Sequence, residues 1–330
     1  MTTGVTKQHI ISWLLKANRH RRQGFTLIEL LVSIIVGSII VSALLFLVTE
    51  LNRFNGREEL LTQTQQNMRR ALDFISSDVS EAVFVYTDPT AVVAQLDDEP
   101  TDATPILAFW RLDPVDTEDL ECDDDNRAEC ETLLVRQSAY TLVVYFQSDD
   151  NTDSPIWEGE SRIIRYQLPK YGSGPNDIEN LTQRPGYLDP SLEETTFENW
   201  TKQTGENTDG IAQALTDFVS LPDNTISAAD SRLCPWDDPD DPDDNDTFVR
   251  TPTLSNSFYV CVRSGEAGTT AEGFNEDLLN RTNQSVFIAL TGNAARGDND
   301  ILVGSSSDAS RLPTLESEVF IRGVIEKPQE

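Results

Sequence analysis

From Phe25 to Val48 the chain reads FTLIELLVSIIVGSIIVSALLFLV, an apolar run carrying a single charge, Glu29. As an α-helix rising 1.5 Å per residue it spans ~36 Å, enough to cross a bilayer with slight tilt. Immediately before it lie Arg19, Arg21 and Arg22, and residues 1–24 also hold Lys7 and Lys16 but no acid. That basic flank predicts a cytoplasmic N-terminal side, with everything after the span on the far side of the membrane. A cleavable secretory signal is a poor fit. Its apolar core is ~7–15 residues long and is followed by a small-x-small site, and neither is present here. A plain signal anchor fits the length but leaves Glu29 unexplained, because a carboxylate in an apolar span is costly and calls for a named partner.

The segment Arg22-Gln23-Gly24-Phe25-Thr26-Leu27-Ile28-Glu29-Leu30 resembles the type III signal of type IV pilins and type II secretion pseudopilins. The resemblance implies cleavage by a prepilin peptidase between Gly24 and Phe25, N-methylation of the new N-terminal Phe25, and an assembly role for Glu29. The physical logic agrees. Cleavage leaves a positive α-amine at the membrane boundary, and Glu29 of one subunit can neutralise the Phe25 amine of its neighbour, so that two costly charges become a pair. The expected partners are other pilin or pseudopilin subunits, the inner-membrane assembly platform and the prepilin peptidase. The expected location is the inner membrane, single-pass, with a cytoplasmic N-terminus, a periplasmic body, and filament or cell-surface association after assembly.

Beyond the span, Leu51, Phe54, Leu61, Met68, Leu72, Ile75 and Val79 follow a 3/4 alternation broken only by Glu58 and Gln65. This predicts one amphipathic helix continuing to about Glu81. A coiled-coil stem gives the same stripe; the position directly after a type III signal favours a pilin stalk. The expected organisation is a cleaved leader at 1–24, a transmembrane helix at 25–50, a stalk helix at 51–82 and an exported globular domain at 83–330. After Ala82 the pattern turns to short Val-, Ile-, Phe- and Tyr-rich runs. Candidate strands are Val83–Thr87, Ile106–Arg111, Thr132–Gln137, Tyr140–Gln147, Arg162–Leu168, Phe248–Thr251, Phe258–Arg263, Ser285–Thr291 and Glu318–Val324. Ile211–Val219 reads as a short helix, and Tyr171–Thr208 as long surface loops. The fold class is therefore α+β and pilin-like: a long N-terminal helix packed on an antiparallel β-rich domain.

Composition narrows the chemistry. The net charge is −31, and removing the five basic residues of the head leaves 20 basic against 56 acidic side chains. So acidic a body repels nucleic-acid phosphates, and no nucleic-acid partner is expected. His9 and His20 are the only histidines and both lie in the head, so the body holds neither a Ser-His-Asp site nor a His-ligated zinc. Carboxylate pairs arise by chance among 56 acids; the chain is not read as an enzyme. Cys122, Cys130, Cys234 and Cys261 favour disulfides in an exported domain, with three pairings open and a four-thiolate zinc site as the weaker alternative. No cofactor is expected. The one ion considered is Ca²⁺, at the acidic loop 237–246 with Asp237, Asp238, Asp240, Asp241, Asp243 and Asp244 as candidate ligands. The EF-hand spacing is absent there, and a solvated, proline-extended loop is the simpler reading, as it is for Asp123-Asp124-Asp125.

Within the family, Met68–Ile75 and Glu318–Arg322 look like large minor pilins of the W class and pseudopilins of the J class. Leu107–Pro114, Ser138–Gln147 and Ser161–Tyr171 are similar to cyanobacterial hormogonium polysaccharide secretion pseudopilins. That resemblance implies a minor pseudopilin supporting polysaccharide export and gliding motility. The alternatives are a subunit of a type II protein secretion, twitching or DNA-uptake system, and, from another class, a non-polymerising anchored ectodomain that binds Ca²⁺ or glycans.

Overall fold

A computed structural model describes residues 25–117, 120, 122, 126–149, 156–172, 181–191, 196–222, 234, 248–253, 255–263, 285–294 and 311–321. The chain divides into two units, Met1–Gly56 and Arg57–Glu330. Helix α1, Leu27–Ser80, runs through the boundary between them. Its end lies within a residue of the one read from the stripe.

In the first unit the helix exposes apolar side chains on every side: Leu27, Ile28, Ile34, Ile39, Leu45 and Phe46 are each at least half exposed. Such a surface is stable only when lipid or other helices cover it. The hydroxyls inside the span bond back to the helix, Ser33 to the Glu29 carbonyl at 2.7 Å and Ser42 to the Ser38 carbonyl at 2.8 Å. A donor facing lipid is satisfied in this way without water.

The second unit builds two antiparallel sheets. The first holds β1 (Ala82–Val85), β2 (Ala103–Pro114), β3 (Ser138–Ser148), β4 (Ser161–Pro169) and β5 (Ile211–Val219), in that order. The second holds β6 (Phe248–Thr251), β7 (Phe258–Arg263), β8 (Ser285–Leu290) and β9 (Leu315–Phe320), also in chain order. Two short helices, α2 (Thr90–Val93) and α3 (Arg127–Arg136), sit between strands of the first sheet. The α+β class read from the sequence is the one observed.

Strand periodicity explains the core. Leu107, Phe109, Val143 and Tyr145 point to one face of the first sheet, where they pack with Met68, Leu72, Ile75 and Val79 of α1 and with Val260, Val286 and Ile288 of the second sheet. Their neighbours Ala108, Trp110, Leu142, Val144 and Phe146 fill a second cluster on the opposite face. A sheet covered on both sides needs strands that are apolar throughout, and β3 is buried continuously from Thr141 to Ser148. At about 1.5–3 kcal/mol for each fully buried large side chain, these two layers dominate the stability of the unit. The sheets join at a seam where the Ser220 amide donates to the Thr291 carbonyl at 3.0 Å and the Asn293 amide to the Phe218 carbonyl at 2.8 Å.

Two elements differ from the sequence reading. Thr132–Gln137, expected as a strand, is instead the end of α3 and its cap. Leu133-Leu134-Val135 suits either state by propensity, but only Leu133 is buried, beside Cys130 three residues earlier, which is helical spacing. Gln137 then stops the helix in a left-handed conformation, φ 51°, and its amide donates to the Leu133 carbonyl at 2.7 Å. Ile211–Val219, expected as a helix, is strand β5, paired antiparallel with β4. Its Ala, Gln and Leu favour helix locally, but the open edge of β4 offers backbone partners that outweigh propensity. The Tyr171–Thr208 stretch holds no named element among its described residues, yet Tyr187 and Trp200 are buried against the outer face of the first sheet. There Trp200 Nε1 donates to the Leu188 carbonyl at 2.7 Å, and the Tyr187 hydroxyl donates to the Tyr140 carbonyl at 2.8 Å. β9 begins three residues before the expected strand, and 322–324 lie outside the described residues.

Candidate processing and assembly site

Thr26 is the residue from which α1 starts. Its carbonyl accepts the amides of Glu29 at 3.0 Å and Leu30 at 3.1 Å, and its Oγ1 accepts the Glu29 amide at 3.3 Å. Thr26-Leu27-Ile28-Glu29 has the S/T-x-x-E spacing of a capping box, in which the hydroxyl side of the exchange is formed here. Glu29 therefore lies in the first turn, where the positive end of the helix dipole favours a carboxylate. Phe25 precedes the cap and is 77% exposed. The structure thus brings Phe25 and Glu29 to one helix end, one turn apart; Gly24 lies outside the described residues.

At the other end of α1 a buried ionic cluster ties the helix to the first sheet. Asp78 in the last turn has a side chain only 2% exposed. Its Oδ1 accepts from Arg111 Nη1, and its Oδ2 accepts from Arg165 Nε at 2.8 Å and from the Tyr145 hydroxyl at 2.6 Å. Arg111 also meets Asp113 at 2.7 Å, and Arg165 lies over the Phe74 ring, 5.9 Å from its centre. Burial and then the Asp78 carboxylate push the Tyr145 hydroxyl well above its ordinary pKa. Burial alone pulls the Arg165 guanidinium down, but its bonds to Asp78 outweigh that and hold it above its usual value. One helix residue is thereby bonded to β2, β3 and β4 at once. The sequence reading did not single out these residues, although an acid beside Ile75 and Val79 on the buried stripe marks the position.

The cysteines pair as Cys122–Cys130 and Cys234–Cys261, with Cα atoms 5.5 and 5.8 Å apart. The first ties the start of α3 to the preceding segment. The second fastens Cys234 over the outer face of the second sheet beside Tyr259 and Phe287. Asp237, Asp238, Asp240, Asp241, Asp243 and Asp244, and also Asp123-Asp124-Asp125, lie outside the described residues. Among the described residues no cluster of His, Cys, Asp or Glu is arranged to hold a metal.

Residues 19–45 match the family profile described as the prokaryotic N-terminal methylation motif. No curated protein and no solved structure matches the chain. The match contains Gly24, Phe25 and Glu29 and ends well before the three body segments on which the narrower resemblance to polysaccharide secretion pseudopilins rests. Together with a helix long and apolar enough to cross a membrane, it fits a membrane-anchored protein. The N-terminal segment is thus similar to the prokaryotic N-terminal methylation motif, which supports the resemblance to type IV pilins and pseudopilins over those residues.

Proposed function

We propose that the chain is a minor pseudopilin of a type IV pilus-like filament, cleaved between Gly24 and Phe25, N-methylated on Phe25, and placed in the filament through Glu29. The observation that carries the reading is the methylation motif at the head of a helix whose first-unit portion bares apolar side chains on every side. Such a helix resides in lipid before assembly and among neighbouring helices after it. Size supports a minor subunit: two sheets and long connecting segments follow the stalk. The two disulfides suit a periplasmic body. Support of polysaccharide export and gliding motility rests on the three body segments Leu107–Pro114, Ser138–Gln147 and Ser161–Tyr171. The role is mechanical: an assembly platform extracts the subunit from the inner membrane, and the body acts at the filament tip or as a piston.

The test is the mass of the mature chain from cells with and without prepilin peptidase. We expect a chain beginning at N-methylated Phe25 only when the peptidase is present. An intact Met1 leader in both hosts overturns the reading and leaves a permanently anchored ectodomain.

A further inference from the structure

We infer that the cleft between α3, the start of β3 and the 181–191 segment is a binding site for a neutral saccharide. The cleft encloses about 720 Å³, within the ~300–1,000 Å³ range of ligand pockets. Its charges balance: Glu129 and Asp189 line it together with Lys170 and Arg136, in a chain whose net charge is −31. Lys170 bridges the two acids, at 3.0 Å from Glu129 and 3.1 Å from Asp189. An anionic or cationic ligand gains little from so compensated a site, whereas a polyhydroxylated neutral one meets fixed polar atoms without paying for a new charge.

Two of those atoms are held ready. Glu129 Oε1 accepts from the Tyr171 hydroxyl at 2.8 Å, from Gln183 Nε2 at 3.1 Å and from Lys170. All three donors end on the same oxygen while the side chain stays 33% exposed, so Oε2 keeps its capacity to accept a sugar hydroxyl. Tyr140 lines the same cleft, and its hydroxyl bonds to no partner among the described residues, which leaves it a donor and an acceptor. Its ring is braced edge-on against Phe197, 5.2 Å between centres. Leu112, 43% exposed, and the half-buried Leu188 supply apolar wall for the C–H face of a sugar ring. A rigid carboxylate, a phenol and an apolar wall together match a pyranose, which presents hydroxyls at its edge and C–H bonds on its face.

The inference rests on the polysaccharide reading for its biological purpose only; binding and filament assembly are measured separately. The full-length chain, held in lipid nanodiscs free of glycosidic detergent, is titrated with neutral tetrasaccharides of glucose and of N-acetylglucosamine and with an anionic tetragalacturonate, followed by saturation-transfer NMR. We expect at least one neutral oligomer to bind in the ~0.1–5 mM range. Glu129→Gln should weaken it about tenfold, the scale of a hydrogen bond to a charged group. Tyr140→Phe should weaken it several-fold with an unchanged thermal transition, which separates a lost contact from a lost fold. No neutral binding up to about 10 mM, binding of the anionic oligomer alone, or wild-type affinity in both variants overturns the inference. A chain that is processed and assembled but binds no saccharide refutes the cleft and leaves the pseudopilin reading standing.

Discussion

Glu29 shows how one side chain serves two structures. Within a single subunit it sits three residues after the Thr26 cap, in the field of the helix N-terminus, which stabilises a carboxylate by about 0.3–1 kcal/mol. In the filament proposed above, the same carboxylate would pair with a neighbour's Phe25 amine, and that pairing would remove the cost of two isolated charges in lipid. The cap is worth little beside that pairing, so loss of the charge acts on assembly more than on the helix. Glu29→Ala should be cleaved and methylated normally yet fail to enter filaments. The measurement is subunit content of sheared filaments against membrane content; wild-type incorporation would sink the charge-pair mechanism.

α3 illustrates what a single element takes from its surroundings. Ala128, Glu129, Glu131, Leu133 and Leu134 favour helix, and its placement comes from Cys130 and Leu133 on one side, the Cys122 disulfide, and Glu129 bonded to Lys170, Tyr171 and Gln183. Burial raises the Glu129 carboxyl, but these bonds outweigh it and hold it below the ordinary range. Asp189 is likewise raised by burial and held lower by Ser191 and Lys170. A depressed carboxylate contributes stability that is complete above its unfolded value, near 4, and is lost as pH falls through the lower folded value. Amide hydrogen exchange of α3, taken relative to the unfolded chain at the same pH, should therefore accelerate below about pH 4 before the central strands β3 and β4 respond. Equal acceleration in β3 would show that the bonds to Glu129 and Asp189 do not limit the opening of α3.

At the scale of the whole second unit the question is what carries load from the helix into the sheets. Apolar packing of Met68, Leu72, Ile75 and Val79 spreads it over a broad face, whereas Asp78 is bonded to three strands at once. Removing a partner from a buried ionic cluster leaves uncompensated charge, here on Arg165 above all, because Arg111 keeps Asp113. Asp78→Asn should cost about 3 kcal/mol, the lower end for a buried pair. Asp73→Asn, at an exposed position on the same helix, should change stability by less than about 0.5 kcal/mol. Urea denaturation of the two variants makes the comparison. Equal midpoints would mean that packing alone holds the helix to the sheets.

Where a feature depends on residues adjacent in the chain, it was legible without coordinates. The apolar helix and the end of α1 follow from local spacing, as do β2, β3 and β4, whose runs are rich in Val, Ile, Phe and Tyr. Thr132–Gln137 and Ile211–Val219 were misread because short apolar runs carry no decisive period, and a disulfide, a left-handed cap and an open strand edge decided them. The Asp78 cluster joins partners 33, 67 and 87 positions away, and the cleft gathers Leu112, Glu129, Tyr140 and Leu188 from four separate segments. The sequence by itself determined that the chain begins with a helix long and apolar enough to cross a membrane, because that property is settled by contiguous composition. Only the tertiary structure decided which charges are buried together and where a cleft opens, because strand pairing creates those neighbours.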